Sequence, residues 1–249
     1  MTSLAQGLQQ ASLPRLETEL LLAATLKVER SYLYAHPEYL LSPAESRRFA
    51  DLMARRQQGE PIAYLLGERE FWSLKLKVTP ATLIPRPETE LLVAAVLEKF
   101  AGQSAIKLLD LGTGSGAIAL ALAKERPDWL ITASDLSVEA LAMAQENAQR
   151  HKLKLQFLQS ESFGALAGQT FQVIVSNPPY LAAEDPHLKE GDLRFEPRLA
   201  LVSGKDGLAL IRKIIQEAPS YLLPQGWLYL EHGATQASAL RALLIRRGF

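Results

Sequence analysis

The chain has 249 residues, 48% of them hydrophobic and 22% charged, which suits one α/β domain with a smaller companion and excludes a disordered chain. Lys plus Arg and Asp plus Glu both number 27, and a formal net charge of zero weighs against an enzyme that holds duplex nucleic acid by its phosphates. There is no cysteine, so disulfides and thiolate-held zinc are excluded. The Met-Thr-Ser-Leu start lacks the basic and apolar regions of a signal peptide, and no apolar run reaches ~18 residues, so a cytoplasmic protein without membrane contact is expected.

Residues 1–70 are rich in Leu, Ala, Glu, Gln and Arg, with helix-spaced apolar positions such as Leu16, Leu20, Leu21 and Ala24, and predict a small helical bundle. Its clearest start signal is Ser42-Pro43-Ala44-Glu45, a capping box with proline at the first helical position, and Gln58-Gly59 is the matching stop. From Phe71 the period changes: Leu74, Leu76 and Val78 alternate with Ser73, Lys75 and Lys77, which predicts a half-buried strand in a hairpin linker over 71–86. Ile84-Pro85-Arg86-Pro87 then leads into a helix over Glu88–Phe100, opening a second domain over 87–249. After Gly102, strands are expected at 107–111, 130–134, 155–159, 173–176 and 227–231, with helices from about Ala117, over Val138–Arg150, over Gly207–Leu222 and at the end of the chain. Such alternation predicts an α/β fold with a parallel, doubly wound, Rossmann-like sheet.

The first strand of that sheet, ending Asp110-Leu111, runs into Gly112-Thr113-Gly114-Ser115-Gly116 and at once into a helix. Glycines at a strand-to-helix turn let the backbone bend sharply and approach a ligand. Asp135 ends the next strand about 20 residues on, where a carboxylate can accept both hydroxyls of a ribose. The spacing is G-x-G-x-G and not the G-x-G-x-x-G of a dinucleotide fold, which counts against a nicotinamide cofactor without removing it; no Gly-Lys-Ser/Thr follows, so a P-loop is excluded. Ser115 reads as a cofactor-loop hydroxyl, since neither a G-x-S-x-G frame nor a Ser-His-Asp set is legible. His36, His151, His187 and His232 are scattered, and no metal site is expected.

A further buried strand, Val173 to Ser176, delivers Asn177-Pro178-Pro179-Tyr180 to the same edge. Asn177 offers an amide carbonyl, the Pro178 carbonyl is not drawn into a local turn because Pro179 has no N–H, and both prolines fix φ. Two acceptors held close together match the two N–H hydrogens of a planar amide or exocyclic amine, leaving its nitrogen aimed at an electrophilic methyl group. Orientation has to supply most of the rate, because no side chain deprotonates an amide near neutral pH. Tyr180 adds a flat face for the substrate group or for a sulfonium cation.

The order of glycine loop, ribose acid and Asn-Pro-Pro-Tyr resembles class I methyltransferases that modify planar nitrogens. Gly67-Glu68-Arg69-Glu70-Phe71-Trp72, Leu83-Ile84-Pro85-Arg86-Pro87-Glu88-Thr89-Glu90, Phe195-Glu196-Pro197-Arg198-Leu199-Ala200-Leu201, Gly204-Lys205-Asp206-Gly207-Leu208 and Glu231-His232-Gly233 narrow the resemblance to the PrmC/HemK family of release-factor glutamine methyltransferases. The resemblance implies methyl transfer from S-adenosylmethionine to the glutamine of the Gly-Gly-Gln loop of class 1 peptide-chain release factors. It further implies that Asn177 and Pro178 hold that amide with Pro179 beside them, Tyr180 lines its slot, Gly112, Thr113, Gly114, Ser115 and Gly116 cradle the methionine portion with Asn177 near it, and Asp135 binds the ribose. The helical domain would recognise the release factor. Arg86, Glu88 and Glu90 either flank the cleft or serve as caps and surface ion pairs. Where the family usually has an acid or amide followed by a bulky apolar residue beside the adenine, this chain has Glu161-Ser162, so Ser162 and Phe163 are expected there. The family's two further strands after the last helix have no counterpart before Phe249, which predicts an open sheet edge. An adenine-N6 nucleic-acid methyltransferase, a ribosomal-protein glutamine methyltransferase and a cofactor-binding module without catalysis share parts of this pattern.

Overall fold

The computed structural model describes residues 3–10 and 12–249. Met1, Thr2 and Ala11 lie outside the described residues, and with them part of the reading of the chain's start. The backbone divides into two compact units, 1–67 and 68–249.

The smaller unit is helical: α1 Leu4–Gln10, α2 Arg15–Leu26, α3 Arg30–Ala35, α4 Pro43–Gln57 and α5 Ile62–Leu66. Leu4, Leu22, Leu33 and Leu41 form its apolar centre. Glu19 on α2 is buried, and hydrogen bonds from Tyr34, Arg30 and Arg15 hold its carboxyl down at about 2. The expected capping box is present at α4: the Glu45 N–H donates to Ser42 Oγ at 3.3 Å, and the Ser42 N–H donates to Glu45 Oε2 at 2.7 Å. Ser42→Ala should therefore cost about 1 kcal/mol, read as a lower urea midpoint of the full chain, with no effect on the other unit's ligand binding; an unchanged midpoint would show that the cap is dispensable.

The larger unit opens with a hairpin, β1 Glu68–Phe71 and β2 Leu74–Lys77, paired Phe71 to Leu74. The hairpin therefore starts ahead of the 71–86 expected, and 78–86 runs on without strand pairing. A 3₁₀ turn at Pro87–Thr89 precedes α6 Glu90–Lys99, so the helix expected from Glu88 begins two residues later. Then follow β3 Lys107–Leu111, α7 Ala117–Glu125, β4 Leu130–Asp135, α8 Val138–Arg150, β5 Gln156–Gln159, β6 Phe171–Ser176, α9 Arg198–Leu201, α10 Ala209–Glu217, β7 Leu222–Leu230 and α11 Ala237–Arg247. The helix expected over Gly207–Leu222 ends early, at Glu217, and gives way to a 3₁₀ turn over Ala218–Ser220 that holds Pro219, which lacks the N–H that a helix interior needs. The last strand correspondingly starts at Leu222 and is interrupted around Pro224: Phe171 pairs with Leu222, but Val173 pairs with Trp227.

Among the described residues, the main sheet is parallel in the order β5-β4-β3-β6-β7. Successive side chains on a strand point to opposite faces, and the core follows this rule. Leu108, Val173 and Val175 face Val93 and Val96 of α6 and the Ala117–Ala123 run of α7. Leu109, Leu111 and Ile174 face Phe163 and Ile214 of α10. Helices thus cover both faces, leaving the carboxyl ends of the strands as the place for a ligand. Among the described residues, no helix is long and apolar enough to cross a membrane.

Candidate active site

β3 pairs with β4 on one side and β6 on the other, so the chain order reverses at β3, and the loops that leave β3 and β6 part to form a crevice. The two strand ends are fastened together: Ser176 Oγ donates to the Leu111 carbonyl at 2.6 Å. The crevice is a cavity of about 660 Å³, within the usual range for a small-molecule site, and Gly112, Gly114, Asp135, Asn177, Pro178 and Pro179 are on its wall.

The glycine loop is held to β4 by the Gly112 and Thr113 N–H groups, which donate to the Ser134 carbonyl at 2.8 and 2.9 Å. Gly114 has φ +56°, and a Cβ built on it would meet nothing within 4 Å, so its backbone lies open to a ligand. Its N–H donates to Asp135 Oδ2 at 2.8 Å, while Asp135 Oδ1 accepts from the Ser137 N–H at 2.9 Å. Each carboxylate oxygen keeps a further lone pair, enough to accept the two hydroxyls of a ribose. Thr113 and Ser115 also line the cavity. Gly116, expected to join them, does not: a Cβ there would stand 3.0 Å from Leu120 Cδ1 and 3.1 Å from Ala144 Cβ, so its glycine serves the packing of α7 on α8.

Asp110 lies one hydrogen bond behind the wall. It is fully buried, its Oδ2 accepts from the Thr113 hydroxyl at 2.6 Å and the Ala119 N–H at 3.1 Å, and its Oδ1 has no partner. Burial pushes its carboxyl up to about 7 from 3.8. The folded value exceeds the unfolded one, so the stability this group contributes is full below pH 3.8 and is lost as the pH rises through about 7. Without ligand, the wild type should lose about 3 kcal/mol relative to Asp110→Asn between about pH 5 and about pH 8 in urea titrations. A difference that does not change with pH would mean that the carboxyl ionises freely. An unpartnered buried acceptor of this kind suits a cationic ligand placed nearby.

At the end of β6, Asn177 Nδ2 donates to Thr89 Oγ1 at 3.1 Å, leaving Oδ1 as the acceptor of that side chain. Tyr180 departs from expectation. It is not on the cavity wall: its ring packs with Leu208, Ile211 and Ile215, and its hydroxyl points at Glu231 Oε1, 3.5 Å away. Burial and the Glu231 charge push its phenol up. Phe163 departs as well. It is 1% exposed and stacks on Tyr221 with centroids 4.5 Å apart, because the turn at Ser162 (φ +51°) sends the next side chain under the sheet. Ser162 and Glu161 do line the cavity.

Of Arg86, Glu88 and Glu90, Arg86 alone is on the wall, its guanidinium held by the buried Glu196, whose Oε2 also accepts the Ile84 N–H at 3.0 Å. Burial raises the Glu196 carboxyl despite that guanidinium. Glu90 instead accepts the Trp72 N–H at 2.8 Å, and Glu88 is exposed. Sequence reasoning missed Thr89 and Glu231 as a pair: Thr89 Oγ1 donates to Glu231 Oε2 at 2.7 Å across 142 positions, and only their presence in two family-like segments hinted at a use. Among the described residues, no group of His, Cys, Asp and Glu could hold a metal ion.

Residues 1–67 match the family model of the PrmC N-terminal domain, and residues 87–190 match that of the methyltransferase small domain. The release factor glutamine methyltransferase of Pseudomonas aeruginosa is 53% identical over 255 residues, covering 100% of this chain and 92% of that protein. That of Salmonella typhimurium is 51% identical over 243 residues, covering 97% and 87%. Among solved structures, a methyltransferase from Pyrococcus furiosus superposes with a TM-score of 0.54 at 20% identity, covering 80% of this chain and 88% of that one, a likeness of fold alone. With identity of this size carried through both the helical unit and the sheet, the chain belongs to the release factor glutamine methyltransferase family.

Proposed function

We propose that this protein works in the cytoplasm and transfers the methyl group of S-adenosylmethionine to the side-chain amide nitrogen of the glutamine in the Gly-Gly-Gln loop of class 1 peptide-chain release factors. The observation that carries the reading is the meeting, on one cavity wall, of the glycine loop and Asp135 with Asn177 and Pro178. The residues suit that cofactor: Gly114 leaves its backbone open, Asp135 has lone pairs for a ribose, and the unpartnered Asp110 oxygen lies behind the loop where positive charge is favoured. When bound, S-adenosylmethionine supplies a methyl carbon on a sulfonium, which the amide nitrogen takes as the sulfur keeps the electron pair of the broken bond and an amide proton is released.

The chain's own residues bind and orient. Asn177 Oδ1 and the Pro178 carbonyl accept the two amide hydrogens, which holds the amide plane and draws electron density toward its nitrogen. Pro178 and Pro179 keep the second acceptor from shifting, since each has a locked φ. Gly112, Thr113, Gly114 and Ser115 hold the methionine end, Asp135 the ribose, and Ser162 with Glu161 border the adenine. Tyr180 supports the loop, its ring on the apolar cluster of Leu208, Ile211 and Ile215 and its hydroxyl toward Glu231. The helical unit, which matches the PrmC N-terminal model, selects the release factor.

The test is transfer of a labelled methyl group, offered in parallel to a purified release factor, to the same factor with its loop Gln changed to Ala, and to duplex and single-stranded DNA. Label on the unaltered factor alone is expected. Label on DNA would replace this reading with a nucleic-acid enzyme.

A further inference from the structure

Asn177 grips a substrate amide only if its carbonyl oxygen, and not its NH₂, is turned toward the substrate. An asparagine side chain has almost the same shape either way round, so shape does not choose between them; the partner of its other end must. Its partners are Thr89 Oγ1, at 3.1 Å from Nδ2, and the Glu231 carboxylate, toward which Asn177 also acts as a donor. Thr89 has a single hydroxyl proton, and Glu231 Oε2 takes it at 2.7 Å. A carboxylate only accepts, so the Thr89 oxygen has nothing left but lone pairs to offer Asn177. Turning the amide over would set Asn177 Oδ1 against those lone pairs in a place where Thr89 is 4% exposed and water does not readily intervene.

Glu231 is itself fixed. Its backbone N–H donates to the Ser176 carbonyl at 3.0 Å, the residue just before Asn177, and the Tyr180 hydroxyl approaches its other carboxylate oxygen at 3.5 Å. The 3₁₀ turn at Pro87–Thr89, the end of β6 and the end of β7 therefore converge on one set of hydrogen bonds that runs in one direction, from Asn177 to Glu231, both through Thr89 and directly. We infer that Thr89 and Glu231 are positioning residues that hold the Asn177 carbonyl toward the substrate amide, an inference that rests on the proposed grip by Asn177. It gives work to the Thr of Pro-Glu-Thr-Glu, to the acid of Glu-His-Gly and, through its hydroxyl, to the Tyr of Asn-Pro-Pro-Tyr.

The experiment measures kcat and KM for a purified release factor, and calorimetric affinity for S-adenosylhomocysteine, on the full chain. The variants are Thr89→Val, Thr89→Ser, Glu231→Gln, Asn177→Ala and the double variant Asn177→Ala with Thr89→Val. Valine matches threonine in shape without the relay oxygen, and Glu231→Gln introduces an NH₂ that can reverse the direction of the chain. Both Thr89→Val and Glu231→Gln should lower kcat by roughly tenfold to a hundredfold, the size expected for a lost buried hydrogen bond, with S-adenosylhomocysteine affinity within about twofold of wild type. Thr89→Ser should restore kcat, and Thr89→Val should cost nothing further once Asn177 is replaced by alanine. Wild-type kcat in Thr89→Val and Glu231→Gln alongside a crippled Asn177→Ala would overturn the relay and leave the grip standing. So would a full additional loss in the double variant. Wild-type kcat in Asn177→Ala would overturn the grip, and the relay with it.

Discussion

Asn177→Ala should lower kcat for the release factor by about a thousandfold while S-adenosylhomocysteine binds nearly as before. The size follows from what the side chain does. An amide nitrogen is a weak nucleophile, and holding it in line with the methyl carbon is a contribution of the same order as a well-placed donor at a developing charge. On the proposed reading the cofactor is held elsewhere, by the glycine loop and Asp135, so the two readouts separate. Steady-state kinetics with labelled methyl transfer, paired with calorimetry on the same preparation, would check it. Equal losses in turnover and affinity would place Asn177 in the cofactor site and take it out of the grip.

Asp135→Ala should do the reverse, weakening S-adenosylhomocysteine binding by on the order of a hundredfold. Two effects combine. The ribose loses its carboxylate, and the Gly114 and Ser137 N–H groups, now bonded to the two oxygens at 2.8 and 2.9 Å, lose their acceptor, so the loop slackens as well. Asp135→Asn separates these contributions, because the asparagine oxygen still accepts one of the two N–H groups and its NH₂ accepts none. An intermediate affinity is expected for it. An Asp135→Ala protein that binds within about threefold of wild type would show that the carboxylate does not hold the ribose.

Much of the layout was legible because it is written locally. The glycine loop, the ribose acid and Asn-Pro-Pro-Tyr each sit directly after a short buried strand, and strand-helix alternation is enough to send all three to one edge. The Ser42 cap was legible for the same reason: its partner is three residues away. What failed depended on where a side chain turns after the local pattern ends. Phe163 follows a residue of positive φ and goes into the core. Tyr180 is pulled from the cavity by an apolar cluster contributed by α10 and α11. Gly116 belongs to helix packing although it stands in a ligand loop. The Arg86–Glu196 and Thr89–Glu231 contacts join positions 110 and 142 residues apart, and no single-sequence pattern pairs them. The start of β7 lay outside the strand expected at 227–231, and the sheet absorbs Pro224 and Gly226 as an irregularity beside Phe171 and Val173.

The proposed activity is tested most directly by where the methyl group goes. A purified class 1 release factor treated with the enzyme and S-adenosylmethionine, then digested and sequenced by mass spectrometry, should carry one added methyl on the side-chain nitrogen of the Gly-Gly-Gln glutamine and none when the enzyme is Asn177→Ala. A methyl on any other residue, or the same modification produced by Asn177→Ala at the wild-type rate, would contradict it.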